Sequence, residues 1–429
     1  MNYQAPHPSQ ADGQDGEGTA TVPAETLVLP QGIDWSLIDN TPGRLGLAVS
    51  GGGDSVALAV LLREQRWYRD LTVLTVNHRL RMDAENDVRA VKALADRLNL
   101  PFMTRDARGH PTGSIQNWAR QQRYGLLAEM AAEAGLSAII VAHTMEDQAE
   151  TLLLRLSRRS GVRGLAAMRP RAQRDGMVLL RPFLSVRRDA LRKSLRVRNV
   201  HWTEDPSNSD PSFERVAVRR LAGALKAAGL TAEALAASAA HLGRASDVVE
   251  DIVVQTWNRI VTVDRSAVVA IKAEPWRLLS DEVRLRILAR AIHTAGGGTF
   301  EPRFRVVARM DRALCSGERS HGGRSLASVE GGILRVWREH RAIRQLELFA
   351  GQSAVFDRRF VARSSASSPP VQISAIGNEL AGLLPQTGYT PALPSTPAVF
   401  AAGAFVAAPT LGVYTPGWPR EAVTLTRLR

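Results

Sequence analysis

Short apolar runs separated by amphipathic stretches organise the chain from about residue 43 to residue 160. Leu45, Leu47, Ala48 and Val49 make a first buried-strand pattern, and residues 71–76, 101–104 and 138–142 repeat it. Between these runs, apolar residues fall at helical spacing. The sets are Val56, Leu58, Ala59, Leu61 and Leu62; Val88, Val91, Leu94, Ala95 and Leu98; Ile115, Trp118, Ala119, Leu126, Leu127 and Met130; and Ala149, Leu152, Leu153 and Leu156. Continuously apolar strands alternating with one-sided helices predict an α/β fold, a parallel sheet with helices on its faces. Ser114 stands where a helix N-cap is expected. Each strand ends at a polar cluster, and open α/β sheets bind ligands in the crevice at those carboxyl ends.

Beyond Asp210 the pattern becomes helical over 213–225, 231–257, 280–295 and 302–314, the second stretch opening on a Thr231 cap with Glu233 in its first turn. Residues 261–271 predict a hairpin about Asp264 and Arg265, and 325–329 with 333–337 predict another across Glu330-Gly331-Gly332. Residues 361–370 read as a Ser, Ala and Pro linker. The expected organisation is a leader over 1–30, an α/β domain over 31–222, a mainly helical domain over 223–345 and a small mixed domain over 346–429.

Composition narrows the class. A formal charge of +13 points to a polyanionic partner. The excess is concentrated: residues 151–220 carry 17 Arg and Lys against 6 Asp and Glu, a net of +11 just beyond the first α/β elements. The lone Cys315 excludes an intramolecular disulfide framework and any Cys-x-x-Cys motif. No long uncharged apolar run predicts a membrane span. The first 25 or so residues lack the apolar core of a signal peptide and look like a disordered leader, so the cytoplasm is the expected location.

The first polar cluster is Ser50-Gly51-Gly52-Gly53-Asp54-Ser55, set between a strand pattern and a helix pattern. Three glycines let several backbone N–H groups turn toward one anion, and the following helix adds the positive end of its dipole. Ser50 and Ser55 can donate hydroxyls to phosphate oxygens, and Asp54 can hold Mg²⁺ against them. A Walker A loop would need a lysine here, and a dinucleotide fingerprint a third glycine further on. The stretch reads as a seat for a nucleotide triphosphate or pyrophosphate; the plainer alternative is a tight turn with packing glycines.

Three further clusters carry chemistry. His143 ends a strand, and Asp147 and Glu150, three residues apart, share a helix face turned from the Leu152/Leu156 stripe. Such a pair suits Mg²⁺ or a substrate ammonium, or serves only as an acidic first turn. Arg120 and Arg123 can fork onto phosphate oxygens from a helix, or lie solvated on its face. Glu204-Asp205-Pro206-Ser207-Asn208 is turn chemistry, followed by Arg215 and Arg219 as one basic edge.

In order and spacing these segments resemble one family. Residues 50–55 are similar to the pyrophosphate loop of the N-type ATP pyrophosphatases, the PP-loop superfamily. Together with Asn77-His78-x-Leu80-Arg81, Ala119-Arg120-x-x-Arg123-Tyr124, Ala142-His143-x-x-x-Asp147-x-Ala149-Glu150-Thr151, Ser160-Gly161-x-x-Gly164-Leu165-x-x-Met168 and Trp202-x-Glu204-Asp205-Pro206-Ser207-Asn208, they resemble the tRNA(Ile)-lysidine synthetases. The resemblance is continuous over about 43–220 and weaker beyond. It implies an adenine-nucleotide alpha-hydrolase-like PP-loop domain, then a helical tRNA-binding domain. It further implies that Ser50, Gly51, Gly52, Gly53, Asp54, Ser55 and His143 bind ATP, with Mg²⁺ on Asp54. Catalysis would fall to Asp54, Arg120, Asp147 and Glu150, lysine binding to Asp147 and Glu150, and tRNA binding to Arg159, Arg163, Arg215 and Arg219. The implied reaction joins L-lysine to C2 of the wobble cytidine of an isoleucine tRNA with a CAU anticodon. ATP adenylates the base with loss of pyrophosphate, lysine then expels AMP, and the codon read changes from AUG to AUA. The base that deprotonates the amine stays open between the two carboxylates and His143. The resemblance also admits a homodimer.

Two positions depart from the family's usual pattern: Asn77 where Asp is frequent, and Arg159 where Gly is usual, which puts the path of that loop in question. Rival readings are weaker. A tRNA thiolase would need paired cysteines or a cluster, against the lone Cys315. An amidating synthetase would need an N-terminal cysteine nucleophile, and a non-catalytic RNA-binding protein would not need Asp54, Arg120, Asp147 and Glu150 together.

Overall fold

A computed structural model describes residues 29–66, 69–80, 84–109, 111, 114–204, 214–298, 301–384 and 389–428. Nearly all of the expected leader, Arg81 and the segment from Asp205 to Phe213 lie outside them. The chain forms two compact units divided between Ser246 and Asp247.

The first unit runs α1 (Ser36–Asp39), β1 (Leu45–Ala48), α2 (Gly53–Gln65), β2 (Leu71–Asn77), α3 (Ala84–Arg97), β3 (Phe102–Asp106), α4 (Ile115–Glu133), β4 (Ala138–Ile140) and α5 (Met145–Ser157). There follow α6 (Val162–Leu165), β5 (Arg171–Arg174), β6 (Met177–Leu180), α7 (Arg188–Val197), α8 (Glu214–Arg220), α9 (Ala222–Ala227) and the start of α10 (Ala232–Ile260). The strands form one sheet in the order β3-β2-β1-β4-β6-β5, parallel except for β5. Alternation across each strand feeds two cores. Leu47, Val73 and Ile140 pack with Leu58, Leu61, Leu191 and Leu195 on one face, while Leu74, Ile139 and Leu179 pack with Tyr124, Leu127 and Met130 on the other. The chain leaves β1 toward β2 on one side and returns to β4 on its other side, so the crevice between the carboxyl ends of β1 and β4 is the topological switch point.

The second unit holds β7 (Val261–Val263), β8 (Val269–Lys272), α11 (Ala273–Arg277), α12 (Asp281–Gly296), α13 (Phe304–Cys315), β9 (Ser320–Gly322), β10 (Ser325–Glu330) and β11 (Ile333–Arg338). Both hairpins expected from the sequence are present within the antiparallel sheet β7-β8-β11-β10-β9. Ile287, Leu288, Ile292, Met310 and Leu314 of its helices pack on Val269, Ile271, Leu334 and Val336. The remaining strands are β12 (Leu346–Leu348), β13 (Ser353–Phe356), β14 (Phe360–Ser364), β15 (Val371–Ala375), β16 (Pro397–Ala401), β17 (Ala404–Ala408), β18 (Val413–Tyr414) and β19 (Val423–Arg427), in two small antiparallel sheets.

Two expectations are corrected. The supposed linker at 361–370 begins inside β14, the central strand of the sheet β13-β14-β19, where Phe360, Ala362 and Ser364 face inward. Past Phe360, small residues satisfy that face, so no strong alternation marks it. The helix expected over 213–225 is two short helices, α8 and α9, as far as its residues are described. Among the described residues no helix is long and apolar enough to cross a membrane.

Candidate active site

β1 delivers the chain to the glycine loop, and α2 begins at Gly53 with Gly52 as its extended N-cap. Gly51 has φ +88°, a conformation that side chains rarely adopt, and its carbonyl accepts from the Thr203 amide at 3.0 Å. A Cβ on Gly53 would stand 3.1 Å from the Trp202 indole, whereas one on Gly52 would meet only Ser50 Oγ, at 3.7 Å. Ser55 Oγ donates to the Gly52 carbonyl at 2.8 Å and accepts from the Ser50 amide at 3.1 Å, which closes the loop. The Gly53 and Asp54 amides open the helix and have no acceptor within it, so they are available to an anion.

Asp54 lies in the first turn of α2 and Asp147 in the first turn of α5, on opposite sides of the switch-point crevice. Asp147 Oδ2 accepts from the Thr144 amide at 2.9 Å and the Thr144 hydroxyl at 3.1 Å, completing a capping box that fixes the carboxylate. Its Oδ1 accepts from Arg188 Nη2 at 3.2 Å. Arg188 Nε donates to Asp54 Oδ2 at 3.0 Å, and Nη1 lies 4.0 Å from Glu150 Oε1. Arg188 opens α7, and its amide donates to Glu146 Oε2 at 2.9 Å, which anchors the backbone beneath the guanidinium. Arg219 forks onto Glu150 at 2.5 and 3.3 Å, and Arg215 Nη1 is 3.9 Å from Asp147 Oδ1.

The electrostatics follow from burial and pairing. Burial pushes the Asp54 carboxyl up, outweighing the opposing pull of Arg188. Burial alone would also raise Asp147. Arg188, His143, the Thr144 amide and Arg215 instead bring it below the usual carboxylate range. Arg188 loses some proton affinity to burial, but Asp147, Asp54 and Glu150 hold it above the ordinary arginine value.

Asp54 Oδ1 is buried and has no hydrogen-bond partner among the described residues. Among the described residues no group of three or more His, Cys, Asp or Glu could cage a metal. One orphaned carboxylate oxygen beside a phosphate loop fits Mg²⁺, which uses one or two carboxylates together with substrate phosphates.

His143 ends the turn after β4, and its Nδ1 accepts from Arg181 Nε at 3.3 Å. That bond places the imidazole proton on Nε2. Burial, with Arg181, Arg123 and Arg120 nearby and Asp147 opposing, lowers its pKa to about 3. Arg120, Arg123 and Arg174 lie over the ring of buried Tyr124 at 5.2, 5.3 and 3.9 Å from its centroid. Arg120 pairs with no carboxylate among the described residues, and burial lowers its pKa to about 10. This is an anion-seeking wall beside the carboxylate cluster.

Arg159 and Arg163 are exposed beyond the end of α5. Arg159 has φ 55°, and the Ser160 amide returns to the Arg155 carbonyl at 3.0 Å, so the loop takes the left-handed helix exit that glycine would favour. Arg215 and Arg219 are matched by carboxylates within the cluster. Arg181 and Arg188 are not legible in the sequence, because a segment so dense in arginine hides them. Arg181 follows the apolar run of β6 directly, and that carboxyl-end position is the signal that could have found it.

With this geometry in place, comparison with known proteins is decisive. A PP-loop domain matches residues 30–224. A tRNA(Ile)-lysidine synthase from Ruegeria pomeroyi is 38% identical over 387 residues, covering 89% of this chain and 91% of that one. The chain belongs to the tRNA(Ile)-lysidine synthase family. Family members from Bradyrhizobium diazoefficiens and Novosphingobium aromaticivorans are 40% and 36% identical, over 64% and 72% of this chain and 80% and 92% of theirs. As a member of the tRNA(Ile)-lysidine synthase family the chain is an enzyme, and its PP-loop domain is the ATP-binding part. For a lysidine synthase family member, the glycine loop and the Asp54, Asp147 and Glu150 cluster form the candidate active site.

Proposed function

We propose that the chain joins the ε-nitrogen of L-lysine to C2 of the wobble cytidine in a CAU-anticodon isoleucine tRNA, using ATP and releasing AMP and pyrophosphate. The observation that carries this reading is Arg188, which bridges Asp54 of the phosphate loop to Asp147 beside Glu150. Nucleotide phosphates and a lysine ammonium would therefore meet in one crevice.

In the first step the cytidine O2 attacks the α-phosphorus of ATP and the bond to pyrophosphate breaks. The loop amides and the Ser50 hydroxyl hold the departing pyrophosphate while the Ser55 hydroxyl, committed to the Gly52 carbonyl, keeps the loop closed, and Arg120 offsets charge on the phosphorus. Mg²⁺ on Asp54 would supply Lewis-acid neutralisation of the phosphates. In the second step the lysine Nε, having passed a proton to Asp147 or Glu150, attacks C2; the C2–O bond breaks and AMP leaves. A carboxylate suits the base role better than His143, whose Nδ1 lone pair already accepts from Arg181. The product would read AUA in place of AUG.

The base must be unstacked to be reached. Exposed Arg159 and Arg163 would track the tRNA backbone, with further contacts from 223–345, and binding would weaken with salt. The cytoplasm is the setting this substrate requires. The test incubates the purified chain with ATP, Mg²⁺, labelled lysine and the tRNA transcript. Label in the tRNA is expected; its absence from a folded, ATP-binding preparation overturns the reading.

A further inference from the structure

The carboxylate cluster is balanced before any substrate arrives. Asp54, Asp147 and Glu150 supply three negative charges, and Arg188, Arg215 and Arg219 stand against them. His143, facing the same crevice, adds no positive charge near neutrality. An ammonium seeking Asp147 and Glu150 therefore meets positions that cations already hold.

At Asp147 the conflict is geometric. Its Oδ2 is committed to the Thr144 amide and hydroxyl, so Oδ1 alone faces the crevice, and Arg188 Nη2 donates to it. Asp147 is only 7% exposed and Arg215 Nη1 already lies 3.9 Å from the same Oδ1, which leaves little room for a further cation beside Arg188. Arg188 has somewhere to go. Its Nε already donates to Asp54 Oδ2, and Asp54 Oδ1 has no partner among the described residues, so in the nucleotide-free protein, before Mg²⁺ takes that oxygen, a small rotation would convert a single contact into a two-pronged one. The Glu146 bond to the Arg188 amide holds the backbone still while the side chain moves.

We propose that Arg188 is a positioning residue that stands in for the substrate ammonium: it holds the Asp147 carboxylate in place while lysine is absent and yields Oδ1 when lysine enters. The proposal rests on the reading of Asp147 and Glu150 as the lysine site. Lysine then binds by exchange, and its affinity is set partly by the guanidinium it displaces. Arg188→Gln removes the competitor and leaves the carboxylates under-neutralised. Arg188→Lys keeps a charge but offers one point where the guanidinium offers a fork, so it cannot bridge Asp54 and Asp147 equally well.

The experiment titrates L-lysine into the full-length, nucleotide-free protein by calorimetry, and measures KM and kcat for lysine in the complete reaction. Folding of each variant is checked by circular dichroism. Arg188→Gln is expected to bind lysine about tenfold more tightly and to show a lower KM without a gain in kcat, with Arg188→Lys in between. Unchanged or weaker lysine binding in the folded variants, while Asp147→Asn weakens it, overturns the Arg188 proposal and leaves the lysine site standing. If Arg188→Gln does not fold, the affinity of Arg188→Lys decides. Lysine binding that survives Asp147→Asn unchanged overturns the site reading and this proposal together.

Discussion

Arg188 Nε stands 3.0 Å from the Asp54 carboxylate, although the two residues are 134 positions apart in the chain. The pairing joins the head of α2 to the head of α7 across the crevice and makes the nucleotide loop and the carboxylate pair a single electrostatic unit. The two ends of that unit still face different substrates. Asp54→Asn keeps an acceptor for Arg188 and removes the charge. We expect it to slow pyrophosphate release by about a hundredfold or more while lysine binding to the nucleotide-free protein is retained. Glu150→Gln should do the reverse, sparing pyrophosphate release and impairing lysine incorporation. Equal losses in both assays for both variants would refute this division of labour.

Acid should destabilise the fold in two separate windows. His143 titrates near 3 in the folded chain and near 6.5 in an ordinary environment. Between those values the unfolded chain takes up a proton that the folded chain refuses, so stability is full above about 6.5 and falls as pH drops toward 3. Asp147 is held below the usual range, so its contribution is present above about 3.9 and is lost as pH falls through its lower folded value. Unfolding midpoints followed from pH 8 to pH 3 should become less pH-dependent in His143→Gln between 6.5 and 4, and in Asp147→Asn only below about 4. The pH–rate profile between 6 and 8 should owe no limb to His143. A His143→Gln curve parallel to that of the unsubstituted chain across the upper window would contradict the neutral imidazole.

The legible parts of the molecule are those where local chemistry and global position agree. The apolar run of 71–76 must be buried on both faces, and it becomes β2, with Leu71 and Val73 in one core and Leu74 in the other. The glycine loop announces itself because Gly51 needs a positive φ and Gly53 must clear Trp202. Arg188 could not be read the same way. Its partners come from α2 and α5, and nothing in its neighbours separates it from Arg187, which pairs outward with Glu233. The strand at 360–364 was hidden for a different reason: past Phe360 its inner face is filled by Ala362 and Ser364, which carry no marked hydrophobic alternation.

Arg159 links local strain to RNA binding. A non-glycine residue at φ 55° carries roughly 1 kcal/mol of backbone strain, and nothing in the Ser160–Arg155 turn requires the side chain. Arg159→Gly should therefore raise stability by about 0.5 kcal/mol, part of the relief being offset by the freer unfolded chain. The same change should weaken tRNA binding and lower the slope of log affinity against log salt by about one phosphate contact. Thermal melts and filter binding at several salt concentrations read the two effects independently. A loss of stability would show that the arginine has a structural partner, and an unchanged salt slope would remove it from the RNA surface.

The glycines of the loop allow the requirements of folding and of ligand binding to be separated. Ala at position 51 would be strained at φ +88°, and at position 53 its Cβ would press on the Trp202 indole, so both Gly51→Ala and Gly53→Ala should lower stability. Gly52 is different: it has an ordinary extended conformation, and a Cβ there meets nothing closer than 3.7 Å. Gly52→Ala should consequently melt within about 0.5 kcal/mol of the unsubstituted protein. If the loop wraps closely on pyrophosphate, the added methyl should still cut ATP affinity by about tenfold, because it occupies space that the phosphate oxygens need in order to reach the backbone amides. Equilibrium binding of ATP and a thermal melt on the same preparation decide the matter. Unchanged ATP affinity in a stable Gly52→Ala protein would mean that the amides reach the nucleotide from the other side of the loop.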